Sequence, residues 1–485
     1  MSQIDFVDST LRDAPQSLWG LRMNTAMACH AASSFNRAGF KAVDVAGAQH
    51  FVFLIRNFHE NPWDRIRYLA SKIDSTPLNL MILGNTFTTF RPMLGPIIGL
   101  WLERSYANGI KRIQAMEASN NFENITEAIK YARDVGMEVV IALSFSLSPA
   151  HTDEYFGQKA RDIARLKPDV VYLKDQGGLL TPERIKTLIP TIQESINGLP
   201  LEIHSHCATG LAPICYLEAV KLGVKTIHTA IGPLANGSSL PSAENMVKNL
   251  EILGYETNLD KQALEEISEH FTFVAKREKL PVGRPVEYDV SQYQHQIPGG
   301  VISNLKRQLS EIRQEHRTDE VINEVTTVRK ELGYPIMITP FSQYVVTQAT
   351  LNIALGERYK AVPEEVMKLA MGCYGPQAGE VDQNVLDKIM SLPEAKQYIH
   401  WEIPRPSIGT LREQYGLNAS DDELLLRILC QEQKDVEAMN AAGPAKTSYP
   451  SARKPIMGVI EDLIKRKGVC YAHLEKDGIS ISLRK

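Results

Sequence analysis

No two cysteines of this chain stand in a CxxC pair. The six that occur are scattered over 485 residues, which argues against a disulfide framework or a thiolate zinc finger. Positive charge is not in excess either. Lys and Arg number 53 against 57 Asp and Glu, for a formal net charge of −4. A nucleic-acid binder needs a basic footprint, and the densest basic run, Lys465-Arg466-Lys467, reads as a solvated helix end. Long apolar runs are missing. The stretch Met93–Trp101 contains Pro96 and is far too short to span a bilayer. The opening residues Met1-Ser2-Gln3-Ile4-Asp5 lack the basic region and apolar core of a secretory signal. With 44% apolar and 23% charged residues, long disordered stretches are not expected. The expectation is a soluble, cytoplasmic protein with no nucleic-acid partner and no integral membrane segment.

What is present is repetition. Over the first 260 residues short apolar runs alternate with longer helical patterns, the mark of repeated βα units. Strands are expected at Phe6–Asp8, Ala42–Val45, Asn79–Met81, Arg112–Ala115, Glu138–Leu143, Val170–Tyr172, Leu201–His204 and Thr226–Thr229. Helices are expected between them, among them Asn24–Asn36, Trp63–Ser71, Ile98–Asn108, Asp153–Ala164 and Pro182–Ile196. Eight of each fit an α/β fold of (β/α)8 TIM-barrel type. A doubly wound sheet is the alternative, but it favours a glycine-rich turn after its first strand. Here that turn reads Ser9-Thr10-Leu11-Arg12-Asp13, and no GxGxxG occurs. The expected division is a barrel over residues 1–297, a mostly helical domain over 298–444, and a tail over 445–485. The tail reads as an Ala/Gly/Pro/Ser-rich linker, a helix near Met457–Lys467, and a hairpin of Val469–Glu475 with Ile479–Leu483 around Lys476-Asp477-Gly478. The region from Thr257 to Ile297 reads as a connection with a partial helix.

The strongest local signal is Glu202-Ile203-His204-Ser205-His206. In a strand, residues two apart point to one side, so both imidazoles can reach one ion at a barrel mouth. Neutral imidazole suits zinc, manganese or cobalt. Ordinary hydrogen bonds would satisfy the pair equally well. Asp13, after the first strand, can add a carboxylate and leave an open coordination position; it can equally pair with Arg12 or cap a turn. Lys174 ends the sixth strand. A lysine aimed into a barrel mouth is costly unless paired. A carbamate formed with carbon dioxide would make it an anionic ligand, and a salt bridge to Asp13 is the simpler account.

Six stretches, in order, carry a resemblance. They are Asp8-Ser9-Thr10-Leu11-Arg12-Asp13-Ala14-Pro15-Gln16-Ser17; Asn61-Pro62-Trp63-Asp64-Arg65; Lys174-Asp175-Gln176-Gly177-Gly178-Leu179; His204-Ser205-His206-Cys207-Ala208-Thr209-Gly210; Pro298-Gly299-Gly300 with Asn304-Leu305; and Tyr334-Pro335 with Thr339-Pro340-Phe341-Ser342-Gln343. Over roughly residues 4–444 the chain resembles the carboxyltransferase family of pyruvate carboxylase, the oxaloacetate decarboxylase alpha subunit and the transcarboxylase 5S subunit. The resemblance implies a barrel followed by a helical domain. It implies a divalent metal (zinc, manganese or cobalt) on Asp13, His204, His206 and carbamylated Lys174 (N6-carboxylysine). It further implies carboxyl transfer between N1′ of biotin and a 2-oxo acid, and a homodimer or larger assembly.

Some positions depart from the family pattern. Ser238, in Gly237-Ser238-Ser239-Leu240, stands where the family has the threonine that shuttles a proton at N1′; it keeps the hydroxyl. Gln16, which touches the oxo acid in the family, is retained. Leu83 and Gln114 stand where the family carries arginines, and Glu117 replaces an aspartate. Loss of a bidentate carboxylate clamp at Leu83 leads to the expectation that the acceptor is a carbonyl compound other than free pyruvate, with Gln16, Leu83, Gln114 and Glu117 as its pocket. An arginine brought in from another loop, Arg91 being nearest, is the alternative. No Ala-Met-Lys-Met segment occurs. Biotin is therefore expected in trans, on a separate biotinyl carrier protein loaded by a biotin carboxylase subunit. A biotin-independent metal-dependent decarboxylase or carbon–carbon lyase, and a scaffold subunit that has lost catalysis, are the competing readings.

Overall fold

The computed structural model describes residues 2–84, 92–311, 313–450, 460, 463, 470–476 and 479–484. Eight parallel strands close on themselves: β1 Gln3–Asp8, β2 Ala42–Gly47, β3 Leu78–Leu83, β4 Ile110–Met116, β5 Glu138–Ser144, β6 Val170–Asp175, β7 Leu201–Ser205 and β8 Thr226–Thr229. Each pairs with the next, and β1 pairs with both β8 and β2. This is the expected TIM barrel. A two-residue strand, β9 at Glu256–Thr257, adds to the start of β1.

Strand alternation sorts the side chains. Ile203, Ile227, Val171 and Leu173 point outward and join one apolar cluster with the surrounding helices. Tyr172, Lys174, Glu202, His204 and His228 lie on the other face of the same strands, inside the barrel and fully buried. The helices start where the chemistry says they should. Thr152, Thr181 and Ser242 accept a backbone N–H three residues on, and Pro182 occupies the first turn after Thr181.

Two helical stretches differ from the expectation. Residues 257–297 contain an 18-residue helix, Lys261–Glu278, capped by Asp260. Leu264, Ile267, Phe271 and Val274 form its buried stripe, and the dense charge at Lys276–Arg277 belongs to its last turn, where cations suit the helix dipole. The expected helix Asn24–Asn36 is instead two, Thr25–His30 and Ala32–Arg37.

Beyond the barrel, helices Gly299–Glu311, Thr318–Glu331 and Phe341–Leu355 form a layer over the strand ends. One apolar cluster runs from Met116, Ala142 and Tyr172 inside the barrel to Val321, Phe341 and Val345 in that layer. Three later helices, Ile408–Tyr415, Asp421–Cys430 and Gln433–Ala442, return to the barrel's outer wall. There the Trp63 indole donates to the Asp422 carbonyl at 3.1 Å, and Arg104 pairs with the Asp422 carboxylate at 2.7 Å. The expected hairpin is present as β10 Tyr471–Lys476 and β11 Ile479–Arg484. The helix expected near Met457–Lys467 falls mostly outside the described residues. Among the described residues no helix is long and apolar enough to cross a membrane.

Candidate metal centre

Asp13 begins the helix Asp13–Leu18 directly after β1. Lys174 is the penultimate residue of β6, His204 lies in β7, and His206 follows β7 by one residue. All four are buried and meet at the C-terminal mouth of the barrel. One ligand atom each from Asp13, His204 and His206 lies within 4.8 Å of the others. The Nε2 atoms of His204 and His206 are each 3.3 Å from an Asp13 oxygen, and Lys174 Nζ is 3.2 Å from His204 Nε2 and 3.4 Å from Asp13.

The donor set fits a divalent ion. His206 donates from Nδ1 to the Ser238 carbonyl at 2.7 Å, which leaves Nε2 as a lone pair. That buried Nε2 makes no hydrogen bond among the described residues. A ligating histidine characteristically has its other nitrogen held this way. Burial pushes the Asp13 carboxyl up, but Arg12 and Lys174 outweigh it and hold the group well below the usual carboxylate range. Asp13 is thus an anion poised for a cation. Burial lowers the Lys174 amine below the ordinary lysine value.

The surrounding loops are tied down. Asp175 accepts from the Leu179 and Leu180 amides at 2.9 Å and from Ser205 Oγ at 2.7 Å. Gly178 has φ +64°, and a Cβ there would meet the His206 carbonyl at 2.6 Å. Only glycine lets the loop after β6 lie this close to the segment carrying His206.

Three cavities near the barrel mouth share Gln16 in their lining. The outermost, about 1000 Å³, is bordered by Arg22, Phe58, Glu278 and Arg307. The next, about 210 Å³, is lined by His206, Ser238, Gln343 and Thr339. The innermost, about 30 Å³, is lined by Arg12, Gln49, Leu83, Lys174 and Thr339. Of the residues expected to form the acceptor pocket, Gln16 and Leu83 line this inner cavity. Gln114 does not line it; fully buried on β4, its amide has no partner among the described residues. Glu117 turns away, accepting from Ser119 N and Oγ and from Asn121 N at 2.7–2.8 Å, and so secures the loop after β4. Arg91 lies outside the described residues.

Sequence reasoning treated Arg12 only as a partner of Asp13. Its guanidinium is buried, 2.5 Å from Asp44 and 2.9 Å from Asp13, and borders the inner cavity. Its place inside the first motif was the available signal. Glu202 and His228, beneath His204, were also not singled out. The even spacing Glu202, His204, His206 would have placed Glu202 on the same face.

The model of a conserved carboxylase domain matches residues 293–440, and an HMGL-like model matches residues 109–271. A pyruvate carboxylase subunit of Methanocaldococcus jannaschii is 36% identical over 390 residues, 80% of this chain and 68% of that one. Its counterpart in Methanothermobacter thermautotrophicus, also a pyruvate carboxylase subunit, is 31% identical over 473 residues, 95% of this chain and 83% of that one. The carboxyl transferase domain of Rhizobium etli pyruvate carboxylase, solved with pyruvate and biocytin, shares the fold with a TM-score of 0.82 at 20% identity, over 91% of this chain and 78% of that one.

These findings overturn the expectation of an acceptor other than free pyruvate. Both relatives are pyruvate carboxylase subunits, and the matching fold has been solved with pyruvate. The physical error lay in counting only the charges absent at Leu83 and Gln114. The inner cavity retains the guanidinium of Arg12. On sequence identity, coverage and fold together, the chain belongs to the carboxyltransferase family of pyruvate carboxylase, the oxaloacetate decarboxylase alpha subunit and the transcarboxylase 5S subunit, and is an enzyme of that family with a candidate divalent-metal site.

Proposed function

We propose that this chain is the carboxyltransferase subunit of a pyruvate carboxylase-type system, moving a carboxyl group between biotin on a separate carrier protein and pyruvate. The observation that carries the reading is the convergence of Asp13, Lys174, His204 and His206 at the barrel mouth, with Lys174 lining the inner cavity and His206 the middle one. Asp13, His204, His206 and Lys174 would hold a divalent ion there, zinc, manganese or cobalt, which would supply Lewis-acid polarisation of an oxo group.

The residues then divide the work. Carbamylated Lys174 completes the anionic ligand set with Asp13. Arg12 and Gln16 face the inner cavity and offer charge and a neutral hydrogen bond to the pyruvate carboxylate; Leu83 supplies an apolar wall. Gln16 is itself oriented by Gln49, to which it donates at 2.7 Å. Ser238 lines the middle cavity beside His206. Its hydroxyl, which donates to the Ser17 carbonyl at 2.9 Å, is the group that exchanges a proton with biotin N1′. Closure by the helical layer keeps bulk water from the enolate. A biotin carboxylase subunit reloads the carrier, and the complex works in the cytoplasm as a dimer or larger assembly.

The reverse half-reaction tests this directly. The purified chain, loaded with metal, is given oxaloacetate and free biotin, and pyruvate release is followed. Release that rises with added biotin supports the reading. Biotin-independent release from fully loaded protein would favour a decarboxylase or lyase, and no release at all would favour a scaffold.

A further inference from the structure

A TIM barrel is ordinarily filled by layers of branched apolar side chains. This one carries a chain of ionisable groups from its mouth toward its opposite end. His204 Nδ1 lies 3.3 Å from His228 Nδ1 on β8. His228 Nε2 lies 2.9 Å from a Glu202 oxygen on β7. The other Glu202 oxygen pairs with Arg112 at 2.7 Å and Lys41 at 3.0 Å. Arg112 reaches Glu138 at 3.1 Å. His204, His228, Glu202 and Arg112 are wholly buried, while Lys41 and Glu138 are part-exposed where β2 and β5 begin. The His228 ring stacks on Tyr172, 5.4 Å between centroids and 8° from parallel.

Stability alone is a poor reason for this arrangement. Replacing a buried ionic cluster by packed apolar residues is often neutral or stabilising. The hydrogen-bond order gives a better one. A carboxylate only accepts, so His228 donates from Nε2 to Glu202. The neutral ring then presents its Nδ1 lone pair to His204. His204 must donate from Nδ1, and its Nε2 lone pair faces Asp13 and Lys174.

We propose that His228 and Glu202 are positioning residues that fix the tautomer and ring angle of His204, so that its Nε2 is presented to the ion. Arg112 and Lys41 anchor the carboxylate from below. This rests on the metal-site reading above. The two ligand histidines are then held by different devices, His206 by a backbone carbonyl and His204 by a side-chain relay through the core.

Two amide variants separate this role from simple packing. In His228→Asn the amide oxygen falls near the former Nδ1 and can still accept from His204. In His228→Gln the amide reaches toward Glu202 instead and leaves His204 without its acceptor. Both lose the stack on Tyr172. The readouts are cobalt affinity, by competition with a chelator, and the visible absorption of the bound cobalt. The expected result is wild-type affinity within about threefold for His228→Asn and a loss of about 10- to 100-fold, with a shifted spectrum, for His228→Gln. Equal affinities and identical spectra in the two variants, or tighter binding by His228→Gln, would overturn the relay. Wild-type protein that binds no cobalt would instead remove the metal-site reading on which the relay depends.

Discussion

At the residue scale the barrel mouth is governed by which atoms are left without partners. The Ser238 carbonyl holds His206 Nδ1 and leaves its Nε2 toward Asp13, and Arg12 and Lys174 hold the Asp13 carboxyl below its usual range against the pull of burial. Lys174→Ala removes the side chain that faces both Asp13 and His204. Metal content and turnover should both fall steeply, since the proposed ligand set loses one of its four members. Added acetate or formate should restore part of the activity by filling the vacant anionic place. Protein equilibrated with 13C-labelled carbon dioxide should show a carbamate resonance that Lys174→Ala lacks; its absence in the wild type would rule the carbamate out. Ser238→Ala behaves differently, because Ser238 is not a ligand. Metal should stay while biotin-dependent pyruvate release falls by about 10²-fold. An unchanged rate in that variant would place the proton exchange elsewhere.

At the element scale the strands set directions and the loops set distances. Alternation along β7 puts Glu202 and His204 inside and Ile203 outside, but His206 already lies beyond the strand. Its position depends on the loop after β6 pressing against it at Gly178. Gly178→Ala places a methyl 2.6 Å from the His206 carbonyl and 2.9 Å from the Ala208 amide, at a φ of +64°. A loss of about 1–3 kcal/mol of stability is expected, together with weaker metal retention because the His206 segment must move. Thermal unfolding and metal analysis of the purified variant check both; an unshifted melting temperature would mean the loop is free to give. The helix Phe341–Leu355 shows why some elements were hard to read. It carries apolar residues all round and is buried on both sides, so the one-sided period that betrays a surface helix is missing. Lys261–Glu278 carries that period in Leu264, Ile267, Phe271 and Val274, next to a charged last turn at Lys276 and Arg277.

At the scale of the whole molecule, buried neutral histidines couple the fold to pH. Burial lowers His270 to about 4, and His50 and His151 to about 3, against an ordinary value of 6.5. Below pH 6.5 the unfolded chain takes up protons that the native state refuses. Stability therefore falls as pH drops from 6.5 toward 4, by up to about 1.4 kcal/mol per pH unit for each such histidine. His270 is far from the mouth. Its Nε2 lies 2.7 Å from the Met27 carbonyl, and its ring stacks on His30. His270→Gln should flatten the acid limb by about the slope of one histidine, as read from urea midpoints between pH 4.5 and 7. A slope identical to wild type would show that His270 titrates freely in the folded protein. The same scale explains how the site closes. One apolar cluster joins the barrel interior to the helical layer, so the cavities that narrow toward Lys174 belong to both parts of the chain.

Much of this was present in the order of residues. The period of the first 260 residues determined a barrel, because strands and helices each have their own spacing of apolar positions and eight repeats leave few ways to close. The meeting of Asp13, Lys174, His204 and His206 at one mouth was legible because each lies near or just past the C-terminal end of a strand, and those ends converge in a barrel. What only the tertiary structure decided was the company each side chain keeps. Arg12 looked like a local partner of Asp13, yet it also holds Asp44 and borders the inner cavity. Glu117 looked like a pocket residue, yet its carboxylate is taken up by two amides and one hydroxyl of its own loop. Glu202 and His228 stand 26 positions apart and make sense only as a pair. Charge that one strand lacks can be supplied by another across a few ångströms. Spacing along a chain records direction and period, while the sum of charges in a pocket depends on distances through space.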